Sequence, residues 1–196
     1  MTEVVLFHHA LGLTPGVTAF ADELRRAGHD VHTPDLYDGR TFESLKAGLA
    51  HAEQLGFMNI VDRGVRDAQT HPADVVYAGF SLGVLPAQKL AQTRPGARGA
   101  LLFYSCVPLG EFAPDWPDEV PVQVHGMDAD PIFVDDGDLD AARALVESAK
   151  HAQLFLYDGD QHYFADGSLP SYEPEAAAVL MRRTLDFLDS VGRSTP

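Results

Sequence analysis

The chain has 196 residues, 45% of them hydrophobic and 22% charged, which excludes a disordered or collagen-like polypeptide and fits one folded domain spanning 1–196. Lys+Arg 14 against Asp+Glu 29 leaves a formal net charge of −15, which repels phosphate backbones and anionic lipid and argues against nucleic-acid or membrane partners. The single cysteine, Cys106, closes no intramolecular disulfide, no apolar run approaches the ~18 residues of a membrane span, and the start lacks a basic leader, so a cytoplasmic protein is expected.

Six short apolar runs, rich in β-branched or aromatic residues, recur along the chain: EVVLFH, HDVHT, DVVYAGF, GALLFYS, VPVQVHG and AQLFLYD. Helical periodicity fills the stretches between them, and strands that alternate with helices predict a mostly parallel sheet covered on both faces. The first helix is capped by Thr14, opened by Pro15, striped by Val17, Phe20, Ala21 and Leu24, and ended at Gly28. A second helical region runs from about Ser44 to Asp67 with a break near Gly56, and a third from about Leu82 to Gln92 with Pro86 in its first turn. Asp138 is expected to cap a fourth, with Leu139, Ala142, Leu145 and Val146 at helical spacing; the last runs from about Pro174 to Leu188. Residues 105–119 read as a loop punctuated by Pro108, Pro114 and Pro117, whose Phe112 and Trp116 either roof a pocket or pack on the body.

Gly79-Phe80-Ser81-Leu82-Gly83 spells G-x-S-x-G between a predicted strand and a predicted helix. A strand that turns sharply into a helix holds its central residue in a strained conformation, and the flanking glycines let neighbouring backbone approach without Cβ clashes. A serine so placed needs a base, and the base needs an acceptor that fixes its tautomer. His162, in the loop after AQLFLYD, is the candidate base, and either Asp128 or Asp130, after VPVQVHG, the orienting acid. The oxyanion of acyl transfer needs two backbone amides. Leu82 follows the nucleophile, and Ala10 sits in the loop after the first strand, which a strand order of 2-1-3-4-5-6 brings beside the serine. Cys106 lacks elbow glycines and reads as a buried thiol, while His51 and His71 stand in polar surroundings and read as solvated.

These residues resemble the dienelactone hydrolase family of α/β-hydrolases over nearly the whole chain: VVLFHHALGL, TPDLY, GFSLG, DADPIFV, YDGDQHYFAD and RTLDFL match its segments in order. The resemblance implies a three-layer α/β-hydrolase fold, with a mostly parallel sheet of about six strands in the order 2-1-3-4-5-6 and helices on both faces. It also implies Ser81 as nucleophile, His162 as base, Asp130 rather than Asp128 as acid, and Ala10 and Leu82 as amide donors. The chain departs from the best-known members in four places: Ser81 stands for their cysteine, and His9 for a glutamate. Gly39 (beside Arg40) and Asp166 stand for two arginines that bind a substrate carboxylate, and the chain starts almost at its first strand.

The reading that follows is a serine hydrolase of a small ester or lactone, acting as monomer or homodimer without cofactor or metal. His9, Tyr37, Tyr163 and Phe164 are candidates for its substrate pocket. Two alternatives stand beside it. One is a metal-binding protein using His8, His9, His125, Asp128 and His162; the other is an inactive binding protein on the same fold.

Overall fold

A computed structural model describes residues 1–193. Six parallel strands form one sheet in the order β2-β1-β3-β4-β5-β6: β1 Glu3–Phe7, β2 Asp30–His32, β3 Val76–Phe80, β4 Gly99–Phe103, β5 Val122–Met127 and β6 Ala152–Tyr157. Each strand falls in one of the apolar runs of the sequence, β5 extending one residue past VPVQVHG to Met127. The period of two divides their side chains between two cores. Val4, Leu6, Val76, Ala78, Leu101 and Phe103 face α1 (Pro15–Arg26) and α7 (Pro174–Arg193), packing on Phe20, Leu24, Leu180 and Leu188. On the opposite face Val5, Phe7, Tyr77, Leu102 and Val124 meet α2 (Leu45–Leu55), α3 (Phe57–Ala68), α4 (Val84–Thr93) and α6 (Asp138–Ser148).

Local chemistry sets the helix ends. Thr14 caps α1 by accepting from the Val17 amide, with Pro15 next and Gly28 just beyond in the left-handed region (φ +96°). Ser44 caps α2 through the Ala47 amide, and Gly56 at φ +84° separates α2 from α3.

Four expectations need correction. Asp138 does not cap α6: Gly137 occupies that position, and the Asp138 carboxyl turns instead toward the Ser105 hydroxyl and the Cys106 backbone. A five-residue helix, α5 (Pro131–Asp135), precedes α6; it is too short to leave a periodic signal. The last helix runs on to Arg193. His51 is not simply solvated, because its ring packs edge-on to Tyr37 and tilts against Phe42, and His71 stacks on His32.

The 105–119 segment is pinned from below. Gln88 donates to Val107 O at 2.8 Å and accepts from Val107 N at 3.1 Å, Gln92 reaches Leu109 O, and the buried Trp116 donates to Val120 O at 2.7 Å. Trp116 thus packs on the body. Among the described residues no helix is long and apolar enough to cross a membrane.

Candidate active site

The chain direction reverses at β1, whose neighbours are β2 and β3, so the loops leaving β1 and β3 share one crevice at the carboxyl edge of the sheet. The register Phe7↔Gly79 brings His8-His9-Ala10 alongside Ser81. Ser81 has φ +48° and opens a single 3₁₀ turn, Ser81–Gly83, that runs into α4. Close approach demands both flanking glycines. A Cβ on Gly79 would meet Gly83 O at 2.1 Å, and one on Gly83 would meet Phe7 O at 2.5 Å and His8 O at 2.6 Å.

The loops after β5 and β6 are zipped together by their parallel register, Met127↔Tyr157. Asp128 N donates to Tyr157 O, Ala129 N to Gly159 O, and Gly159 N to the exposed Asp128 side chain at 3.2 Å. Asp128 therefore ties loop to loop, while the buried Asp130 meets the histidine: its Oδ2 lies 2.6 Å from His162 Nδ1, and its Oδ1 accepts from Ile132 N at 3.0 Å. His162 Nε2 in turn lies 2.9 Å from Ser81 Oγ. With Asp130 accepting, the ring hydrogen sits on Nδ1 and Nε2 is left to accept from the serine.

The first loop is held from within. His9 Nδ1 accepts from the Leu11 amide at 3.2 Å, so Nε2 carries the hydrogen, donated to Asp166 Oδ2 at 2.8 Å. Burial works against the Asp166 charge, but hydrogen bonds from His9, Ser168 and Thr14 outweigh it and hold the carboxyl at about 2. Ala10 is wedged against α2, where a Cβ on Gly48 would meet Ala10 O at 2.2 Å. Leu82, the other residue expected to offer an amide, follows Ser81 in the 3₁₀ turn.

A groove of about 360 Å³ opens beside His162, lined by Leu11, Leu45, Tyr163 and Leu169 with Glu43 and Gln161 at its polar side. Of the four pocket candidates Tyr163 lines this groove, while His9, Tyr37 and Phe164 are buried and do not line it. Burial pushes the Tyr163 phenol up, with the adjacent Ser81 hydroxyl pulling the other way. Arg40 is exposed, and Asp166 is enclosed by its donors rather than turned into the groove. A larger cavity of about 920 Å³, bordered by Arg98, Lys150 and Asp186, lies at the opposite end of the sheet, near the start of β4, β5 and β6, away from these groups.

The four imidazoles of the metal alternative do not converge. His8 Nδ1–H donates to His9 O and its Nε2 accepts from Leu36 N, and burial lowers the ring to about 4. His125 sits between Tyr157 Oη at 2.9 Å and Gln123 Oε1 at 3.2 Å, lowered by burial to about 3. His9 and His162 have the partners given above. Burial raises the Cys106 thiol to about 12, which leaves it inert.

Sequence reasoning missed Asp138. Its half-buried carboxyl is pushed up by burial and pulled back by Ser105 and Cys106, with a smaller pull from nearby His162. No local pattern signals such a partner, since Ser105 and His162 lie far away in the chain.

The sequence matches the model of the dienelactone hydrolase family over residues 1–192. The structure is similar to a candidate dienelactone hydrolase from Klebsiella pneumoniae (TM-score 0.75, 18% identity, 96% of this chain and 87% of that one covered). It also resembles a dienelactone hydrolase-like promiscuous phosphotriesterase from metagenomic libraries (0.72, 18%, 97% and 87%). A third likeness is a candidate α/β-superfamily hydrolase from Xanthomonas campestris (0.68, 23%, 97% and 99%). No curated protein matches the sequence.

Proposed function

Because the chain belongs to the dienelactone hydrolase family, we propose that it hydrolyses a small, uncharged carboxylic ester or lactone through Ser81, His162 and Asp130. The observation that carries this reading is the continuous pair of contacts from Ser81 Oγ to His162 Nε2 and from His162 Nδ1 to Asp130 Oδ2.

Ser81 Oγ attacks the carbonyl carbon as its proton passes to His162 Nε2, and the resulting imidazolium is stabilised by Asp130 through Nδ1–H. The oxyanion is received by the Ala10 and Leu82 amides, each contributing on the order of 3 kcal/mol to transition-state stabilisation. His162 returns the proton to the departing alkoxide, and an acyl-Ser81 ester remains. A water, deprotonated by the same imidazole, attacks that ester and releases acid and free serine.

The preference for an uncharged substrate rests on the groove. Glu43 borders it together with apolar Leu11, Leu45 and Leu169, and none of its lining residues is an arginine or a lysine. A carboxylate-bearing dienelactone would meet like charge there. The test is a panel of p-nitrophenyl esters, small lactones and a dienelactone, run on wild type and Ser81→Ala. Neutral short-chain esters should be turned over and the variant should lose at least about a thousandfold. Equal rates in the two proteins would end the reading, and rapid turnover of the dienelactone would end the charge argument.

A further inference from the structure

A second cluster of ligating side chains lies at the other end of β3 from Ser81, and it uses none of the residues of the candidate active site. Glu3 opens β1, His32 closes β2, and His71 stands in the turn between α3 and β3. Their ligand atoms all lie within 4.8 Å of one another. We propose that Glu3, His32 and His71 bind one zinc ion that staples edge strand β2 to β1 and to the α3–β3 turn.

The backbone prepares the site. The parallel register Glu3↔Asp30 and Val5↔His32 puts Glu3 and His32 on the same face of the sheet, two residues apart along it. The third ligand is held by a clamp: Arg94 donates to Ala68 O at 2.6 Å, to His71 O at 2.9 Å and to Tyr77 Oη at 2.8 Å, fixing the turn that presents His71. Three segments far apart in sequence are thereby fixed at one corner, with the side chains half-buried rather than free in solvent.

The side chains are arranged for a cation they do not themselves supply. Glu3 Oε1 lies 2.9 Å from His32 Nε2, and the His32 and His71 rings stack with centroids 3.8 Å apart at 26°. Two further carboxylates flank them: Asp30 Oδ2 is 3.9 Å from His32 Nε2, and Asp67 Oδ1 is 3.7 Å from His71 Nε2, too long for a hydrogen bond. Asp30 and Asp67 thus add negative charge beside the imidazoles without hydrogen-bonding them. Arg94 is engaged with two carbonyls and a phenol. A divalent ion supplies two charges and uses the imidazole lone pairs, in a chain whose net charge of −15 favours cations.

The donor set selects the metal. Two imidazoles and a carboxylate suit zinc, whereas calcium and magnesium want oxygen ligands. Tetrahedral bonds of about 2.0–2.1 Å bring ligand atoms to roughly 3.3 Å from one another. The Glu3–His32 pair is already inside that distance at 2.9 Å, and the remaining ligand atoms lie within 4.8 Å. Because the site stands apart from Ser81, the ion acts on stability and not on the reaction.

The test uses the full chain stripped with EDTA and then given zinc chloride, with magnesium chloride in parallel. Titration calorimetry should report one zinc per chain and the melting temperature should rise, with no response to magnesium and no change in ester hydrolysis. His32→Asn and His71→Asn should each weaken zinc by at least the roughly 10–100-fold that losing an outer-shell partner costs. Both should keep wild-type activity. His71 lies in a turn outside the sheet, so His71→Asn serves if His32→Asn folds poorly. Absence of zinc binding, binding undiminished in both variants, or binding abolished by His162→Asn with zinc inhibiting hydrolysis would each overturn the proposal.

Discussion

Asp130 divides its carboxylate between two tasks: Oδ2 accepts from His162 Nδ1 at 2.6 Å while Oδ1 accepts from the Ile132 amide at 3.0 Å and caps α5. The cap fixes the carboxylate before the imidazole needs it. Asn is as good a cap as Asp but presents the wrong partner to Nδ1–H. Asp130→Asn should therefore lower kcat on a p-nitrophenyl ester by about 10³–10⁴ with little change in melting temperature. A large fall in melting temperature with activity retained by the folded fraction would assign Asp130 to structure alone.

The elbow stores strain at Ser81, whose φ of +48° lies in the left-handed region. A non-glycine residue held there costs on the order of 1–3 kcal/mol. Ser81→Gly should be more stable than Ser81→Ala by about 1 kcal/mol in urea denaturation, although both are inactive. Gly83→Ala should go the other way, since its Cβ would press on the carbonyls of Phe7 and His8. Equal stabilities across the three would mean the turn is not strained.

The legible parts of this fold were those written locally. The six strands, Thr14 as a cap, Gly56 as a break and the GFSLG elbow each depend on neighbours within a few residues. What could not be read depends on partners far away. Asp138 has the composition of a cap, but Ser105 and Cys106 draw its carboxyl elsewhere and Gly137 takes the cap position. Asp166 reads as an acid facing substrate until the fold brings it His9 and Thr14, more than 150 positions earlier in the chain. The choice between Asp128 and Asp130 was open on spacing, because both follow β5 and only the zipped loops separate their directions.

Acid should destabilise the protein well before its carboxylates titrate. His8 and His125 are lowered by burial to about 4 and about 3 in the fold, against 6.5 unfolded. Below pH 6.5 the unfolded chain takes up protons that the folded chain refuses, so their stabilisation is complete above that pH and is lost as pH falls toward 4 and 3. Asp166, held at about 2 against 3.8, adds stability above 3.8 that is lost only as pH drops toward 2. Urea denaturation should show a loss on the order of 3–5 kcal/mol between about pH 7 and about pH 4.5. His8→Asn should flatten that slope, and a pH-independent stability over this window would contradict it.

Asp166 gathers His9, Thr14 and Ser168 around one buried carboxylate. Asp166→Ala would leave those donors unsatisfied, at a cost of about 3 kcal/mol or more. Since His9 also accepts from Leu11 N and so sets the loop that carries Ala10, kcat should fall at least tenfold in the folded variant. Full activity in a destabilised protein would separate the His9 brace from the oxyanion loop.

The account stands on Ser81 being a nucleophile activated by His162. Treatment with an aryl phosphonate followed by peptide mass spectrometry reads this directly. One adduct should form, on the peptide containing Ser81, absent in Ser81→Ala and slowed by orders of magnitude in His162→Ala. An unlabelled Ser81, or labelling as fast without the imidazole as with it, would contradict the account.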